Sequence, residues 1–114
     1  MKSEGENFIL KWQSQVKKGL LEYIMLLVLD IKSCYGYELI QEIEQRTQLE
    51  IAEGTIYPLL NRLKSEELVQ SNWVEMDRGI PRKYYKITPK GIEYKIKMKD
   101  YMSHLQTLMN KLEY

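Results

Sequence analysis

The chain of 114 residues is poor in the residues that build redox and metal chemistry. It has one cysteine, Cys34, which excludes an intrachain disulfide, and one histidine, His104, far from it in sequence. A zinc site needs several clustered nitrogen and sulfur ligands, and two scattered residues do not supply them. Cys34 reads as a small core or loop residue and His104 as a helix residue. There is no nucleophile–base pair and no glycine-rich phosphate loop, so the sequence points away from an enzyme and calls for no cofactor. Long hydrophobic runs are also missing. The most apolar stretch, IMLLVL at 24–29, is too short to cross a bilayer. The start, MKSEGENFILKWQSQVKK, lacks the apolar segment of a signal peptide. A cytoplasmic protein is expected. With three prolines, six glycines, and no repeat or low-complexity tract, nothing marks a linker. Seventeen cations against sixteen acids leave a formal charge of +1, so any nucleic-acid partner must be met by a local patch.

What is present is enough apolar residue, 44%, for one modest core. Ile9, Trp12, Val16, Leu20, Tyr23 and Leu27 recur at helical spacing and predict a first helix over about 7–32. Its first half is amphipathic; its second half is apolar on nearly all sides and therefore buried. Gly19 interrupts it. SCYGYE breaks the pattern. YELIQEIEQRT predicts a second helix with Leu39, Ile40 and Ile43 inward, and TIYPLLNRLKSEE a third with Ile56, Leu60 and Leu63 inward. LVQSNWVEM and KYYKIT predict two strands. Thr88 as N-cap and Pro89 in the first turn predict a last helix running to about Leu112.

Three helices, a hairpin and a helix describe a mainly α chain with a small β-hairpin: a winged helix-turn-helix with an additional helix at each end. The third helix would enter the major groove of DNA. With its three apolar residues turned inward, about 100° per residue puts Gly54, Pro58, Asn61 and Ser65 on the opposite face. Thr55, Tyr57, Arg62 and Lys64 lie on its flanks. Small residues let a helix approach DNA closely, and Asn, Arg and Lys donate hydrogen bonds to bases and phosphates. Pro58 leaves two alternatives: a helix capped by Thr55, or one starting near Ala52 and bent at the proline. The hairpin tip carries Arg78, Arg82 and Lys83 against Asp77 alone. Gly79 permits the turn and Pro81 restricts it. Tyr84 and Tyr85 alternate across the strand, one inward and one free to reach a phosphate.

In the last helix Tyr94, Met98, Tyr101, Leu105, Leu108 and Leu112 are spaced 4-3-4-3-4, the seam of a coiled coil, widened by Met102 and Met109. With Ile9, Trp12 and Val16 this is more apolar surface than one small domain covers, and it predicts a homodimer. Residues 1–88 form the winged helix-turn-helix with its N-terminal helix. Residues 89–114 form the dimerisation helix of the same compact unit.

YGYEL at 35–39, EGTIYPLLNRLKSEELV at 53–69 and PRKYYKITPKG at 81–91 occur together, and over roughly residues 17 to 91 the chain resembles the PadR-like transcriptional regulators. Tyr37 of the first motif is counted with the DNA-facing residues. The resemblance implies a bacterial-type dimeric repressor on an inverted-repeat operator in double-stranded DNA, with the first and last helices building the dimer. The single C-terminal helix resembles the smaller LmrR-like subfamily, whose members bind flat apolar compounds between subunits through a tryptophan of that helix. Here that helix has no tryptophan; Tyr101 and Met102 stand near its place. Trp12, Met98, Tyr101 and Met102 are therefore the candidate pocket for a small planar apolar effector, the alternative being that they fill the dimer core. A second reading of the whole chain is a winged-helix protein-interaction module without DNA binding.

Overall fold

The computed structural model describes residues 3–76 and 79–113. Helix α1 spans Glu4–Ile31 and begins earlier than its apolar periodicity suggests, because the Ser3 hydroxyl accepts the Glu6 N–H at 3.2 Å and caps it. It passes through Gly19 without interruption. A two-residue strand β1, Cys34–Tyr35, follows, then α2, Gly36–Thr47, and α3, Glu53–Ser65. Strands β2, Val69–Val74, and β3, Arg82–Ile87, form the wing, and α4 spans Pro89–Leu112. The sheet is antiparallel throughout in the order β1-β3-β2.

β1 has no counterpart in the sequence reading, where SCYGYE is only a break. It pairs Cys34 with Tyr85 and Tyr35 with Tyr84, so the base of the wing is tied to the start of α2. Helix α3 starts where the second of its two alternatives puts it. Ala52 is the N-cap and accepts from the N–H groups of Thr55 and Ile56. Thr55 is thus not the cap, and Pro58 lies a turn inside the helix. The helix stops at Ser65 because Glu67 turns left-handed (φ 62°), and the Leu68 N–H returns to the Leu63 carbonyl at 2.9 Å.

Met25, Leu26 and Leu29 of α1, Leu39 and Ile43 of α2, Ile56, Leu60 and Leu63 of α3, and Tyr85 and Ile87 of β3 are all buried in one cluster. Each such aliphatic side chain contributes about 1.5–3 kcal/mol on burial. Cys34 belongs to this core, and burial pushes its thiol up to about 11, which makes it an unreactive packing residue. Helix α4 is fixed at its start: Thr88 caps it by accepting the Gly91 N–H at 2.9 Å, and a Cβ at Gly91 would overlap the Leu68 carbonyl oxygen. Lys95 of α4 pairs with Asp30 of α1, and Met98 packs against the core.

Candidate nucleic-acid interface

The inward triad of α3 fixes what its other faces can do. With Ile56, Leu60 and Leu63 fully buried, Gly54, Tyr57, Pro58, Asn61, Arg62, Lys64 and Ser65 are exposed and Thr55 is half-buried. The outward stripe is small and polar, as its sequence pattern requires. Its two flanks differ. Arg62 lies on the α1 side, 3.3 Å from the Glu22 carboxylate, while its own side chain remains 70% exposed. Such a pair contributes less than about 1 kcal/mol, so the guanidinium is oriented rather than immobilised. Tyr57 lies on the other flank, toward the wing.

The wing carries the cations that the sequence places there. Arg82 stacks over the Tyr35 ring at 4.3 Å, and Tyr35 meets Tyr84 edge to face at 5.6 Å. The Lys83 ammonium lies 5.9 Å from the ring centres of both Trp73 and Tyr85. Burial, and after it the charge of neighbouring Lys64, hold Lys83 below the ordinary lysine value, because both disfavour the ammonium form. Of the two wing tyrosines, Tyr85 is the buried one, and Tyr84 is half-buried. Arg78 lies outside the described residues.

These side chains converge on a cavity of about 520 Å³ lined by Tyr35, Gly36, Tyr37, Tyr57, Trp73, Arg82, Lys83 and Tyr85. Among the described residues its lining contains two cations and no carboxylate. It thus unites Tyr37, Tyr57, Arg82 and Lys83, which the sequence suggests, with Tyr35, Trp73 and Gly36, which it does not. The cross-strand register supplies the missing link, with Trp73 opposite Lys83 and Tyr35 opposite Tyr84. No periodicity in the sequence encodes that register.

A second cavity, about 710 Å³, runs between α1 and α4. Trp12, Met98, Tyr101 and Met102 all line it, together with Val16, Tyr94, Leu105 and Met109. Trp12 is still 53% exposed, and Ile9, Leu108 and Leu112 lie outside this groove as exposed apolar side chains.

A model of the PadR-like transcriptional regulator family matches residues 25–95. An uncharacterised protein of Lysinibacillus sphaericus is 37% identical over 84 residues, 72% of this chain and 77% of its own. The crystal structure of a PadR-like transcription factor from Bacteroides fragilis is 38% identical and superposes with a TM-score of 0.77, over 90% of this chain and 99% of that one. A PadR family transcriptional regulator from Eggerthella lenta, 27% identical, superposes with a TM-score of 0.85 over 97% of this chain and 93% of its own.

Proposed function

This chain belongs to the PadR-like transcriptional regulator family and is a DNA-binding regulator of transcription, and from that premise we propose that it acts as a two-fold dimer on an inverted-repeat operator. The outward stripe of α3, with Gly54, Pro58 and Asn61 at its centre, enters the major groove. Thr55, Arg62 and Lys64 reach the groove edges from its flanks. Arg82, Lys83, Tyr37 and Tyr84 meet the phosphate backbone beside it. The observation that carries this reading is the cavity on the wing side of an exposed α3, lined by Arg82 and Lys83 and, among the described residues, by no carboxylate. Phosphate contacts position such a domain, and the side chains of the stripe read the base edges.

The dimer rests on unpartnered apolar surface. Ile9, Trp12 and Val16 of α1 and Tyr94, Tyr101, Leu108, Met109 and Leu112 of α4 are exposed in one chain. A two-fold contact between these helices covers both rows at once. The α1–α4 groove, with its aromatic and methionine walls, suits a planar apolar effector. Such a ligand releases the repressor only if it prefers one spacing of the two α3 helices. Selection of bound fragments from a random duplex library tests the reading. The expected product is an inverted repeat with half-sites about 34–36 Å apart. Failure to enrich any sequence, or enrichment of an asymmetric single site, would overturn it.

A further inference from the structure

Gly36 is the first residue of α2, directly after the N-cap Tyr35. The usual reason for a glycine, a backbone that needs a positive φ, is absent there. Among the described glycines only Gly79 has a positive φ, so the backbone at Gly36 accepts any L-residue. The space around Gly36 explains the choice. A Cβ built there would lie 2.5 Å from Tyr57 Cε1, 2.5 Å from Tyr57 Oη and 2.6 Å from Tyr57 Cζ. These are its three nearest neighbours, and all belong to one phenol. The ring of Tyr57 therefore crosses from α3 to the backbone of α2 and rests in the notch left by the missing methyl. The same phenol lines the cavity that holds Lys83 and Trp73, and Tyr57 remains exposed.

We propose that Gly36 is a positioning residue for DNA binding: its missing Cβ seats the Tyr57 phenol between α3 and the wing, with the hydroxyl held ready for a backbone phosphate. The inference rests on the reading of α3 and the wing as the DNA interface, and it deepens that reading by naming what orders one of its contacts. A tyrosine on an open helix face samples several rotamers and loses that freedom on binding. A ring already lodged against backbone loses less, and the hydroxyl needs no search.

The test uses the full chain and its selected operator duplex. The overlap at Gly36 is with the outer end of a side chain that can rotate, not with backbone, so Gly36→Ala folds and swings the ring away. Gly36→Ala is expected to weaken operator binding about a hundredfold, the loss in each of two protomers of one hydrogen bond to a charged group at about tenfold apiece. The salt dependence stays unchanged, because a neutral hydroxyl displaces no counterion. Tyr57→Ala gives a comparable loss. In the Tyr57→Ala background, Gly36→Ala adds nothing, because the methyl then has room. Parental affinity of Gly36→Ala beside a weakened Tyr57→Ala overturns the positioning role, as does additivity of the two losses. Failure of Gly36→Ala to fold overturns it too, since the ring then lacks the freedom the inference requires. Tyr57→Ala with parental affinity removes Tyr57 from the interface and the inference with it. A parent chain that selects no duplex refutes instead the underlying assignment of the interface.

Discussion

Lys83→Ala isolates the electrostatic contribution of the wing. Lys83 lies in β3 opposite Trp73, and it makes no ion pair with any described carboxylate. Removing it therefore leaves no described acid without its partner. The fold loses only the cation–π contacts with Trp73 and Tyr85, each near 5.9 Å and worth about 0.5–1 kcal/mol at such sites. DNA binding loses more. The proposed dimer would place two Lys83 side chains on phosphate, and each such contact contributes about 0.9 to the slope of log affinity against log salt. The variant should therefore flatten that slope by about two units. Between 50 and 200 mM salt the parent should lose about tenfold more affinity than the variant. Fluorescence anisotropy of a labelled operator across that salt range measures both slopes. Lys99→Ala, which removes the same charge from the exposed surface of α4, should leave the slope at the parental value. An unchanged slope for Lys83→Ala, or equal flattening by Lys99→Ala, would refute the argument.

The same lysine sets a pH dependence. Its pKa in the free protein is held below the ordinary lysine value, while phosphate binds the ammonium form and raises that pKa in the complex. Operator affinity should then be level below the free-protein pKa. It should fall as pH rises through that value, at lower pH than an ordinary lysine gives, and Lys83→Arg should remove the fall; an identical profile in parent and Lys83→Arg would contradict it. Leu105→Glu puts a carboxylate into the α1–α4 groove that Leu105 lines, at a cost of several kcal/mol in each protomer if buried unpaired. Sedimentation should find monomer or unfolded chain and binding should vanish, whereas a dimer that still binds DNA would place the seam elsewhere. A planar apolar dye should quench Trp12, which lines the groove, and weaken operator binding about five- to 150-fold; Trp12→Phe, which leaves Trp73, should remove the quenching. Dye saturation without either effect would leave the groove purely structural.

The parts of the fold that were legible in the sequence are those whose cause is local. Thr88 and Pro89 fix the start of α4 within one turn of chain, and the inward triad of α3 follows from helical spacing alone. β1 was not legible, since two residues carry no period and Cys34 and Tyr35 become a strand only by pairing with Tyr85 and Tyr84. The start of α3 was ambiguous for a related reason. Ala52 caps without a side-chain hydrogen bond, while Thr55 offers a hydroxyl at a position where the helix does not use it. The exposed face of α3 was legible in residue type and direction, but its environment was not. Arg62 meets Glu22, and Tyr57 meets Gly36, across chain separations that no sequence pattern spans.

Placing a photoreactive side chain at Asn61, at the centre of the outward stripe of α3, and separately at Gln106, on the exposed surface of α4, tests the central claim most directly. With the selected operator duplex, the Asn61 probe should crosslink to bases in the major groove of each half-site, and the Gln106 probe should give no crosslink to DNA. Crosslinking from Gln106 but not from Asn61 would show that the chain meets DNA through another surface and would contradict the account.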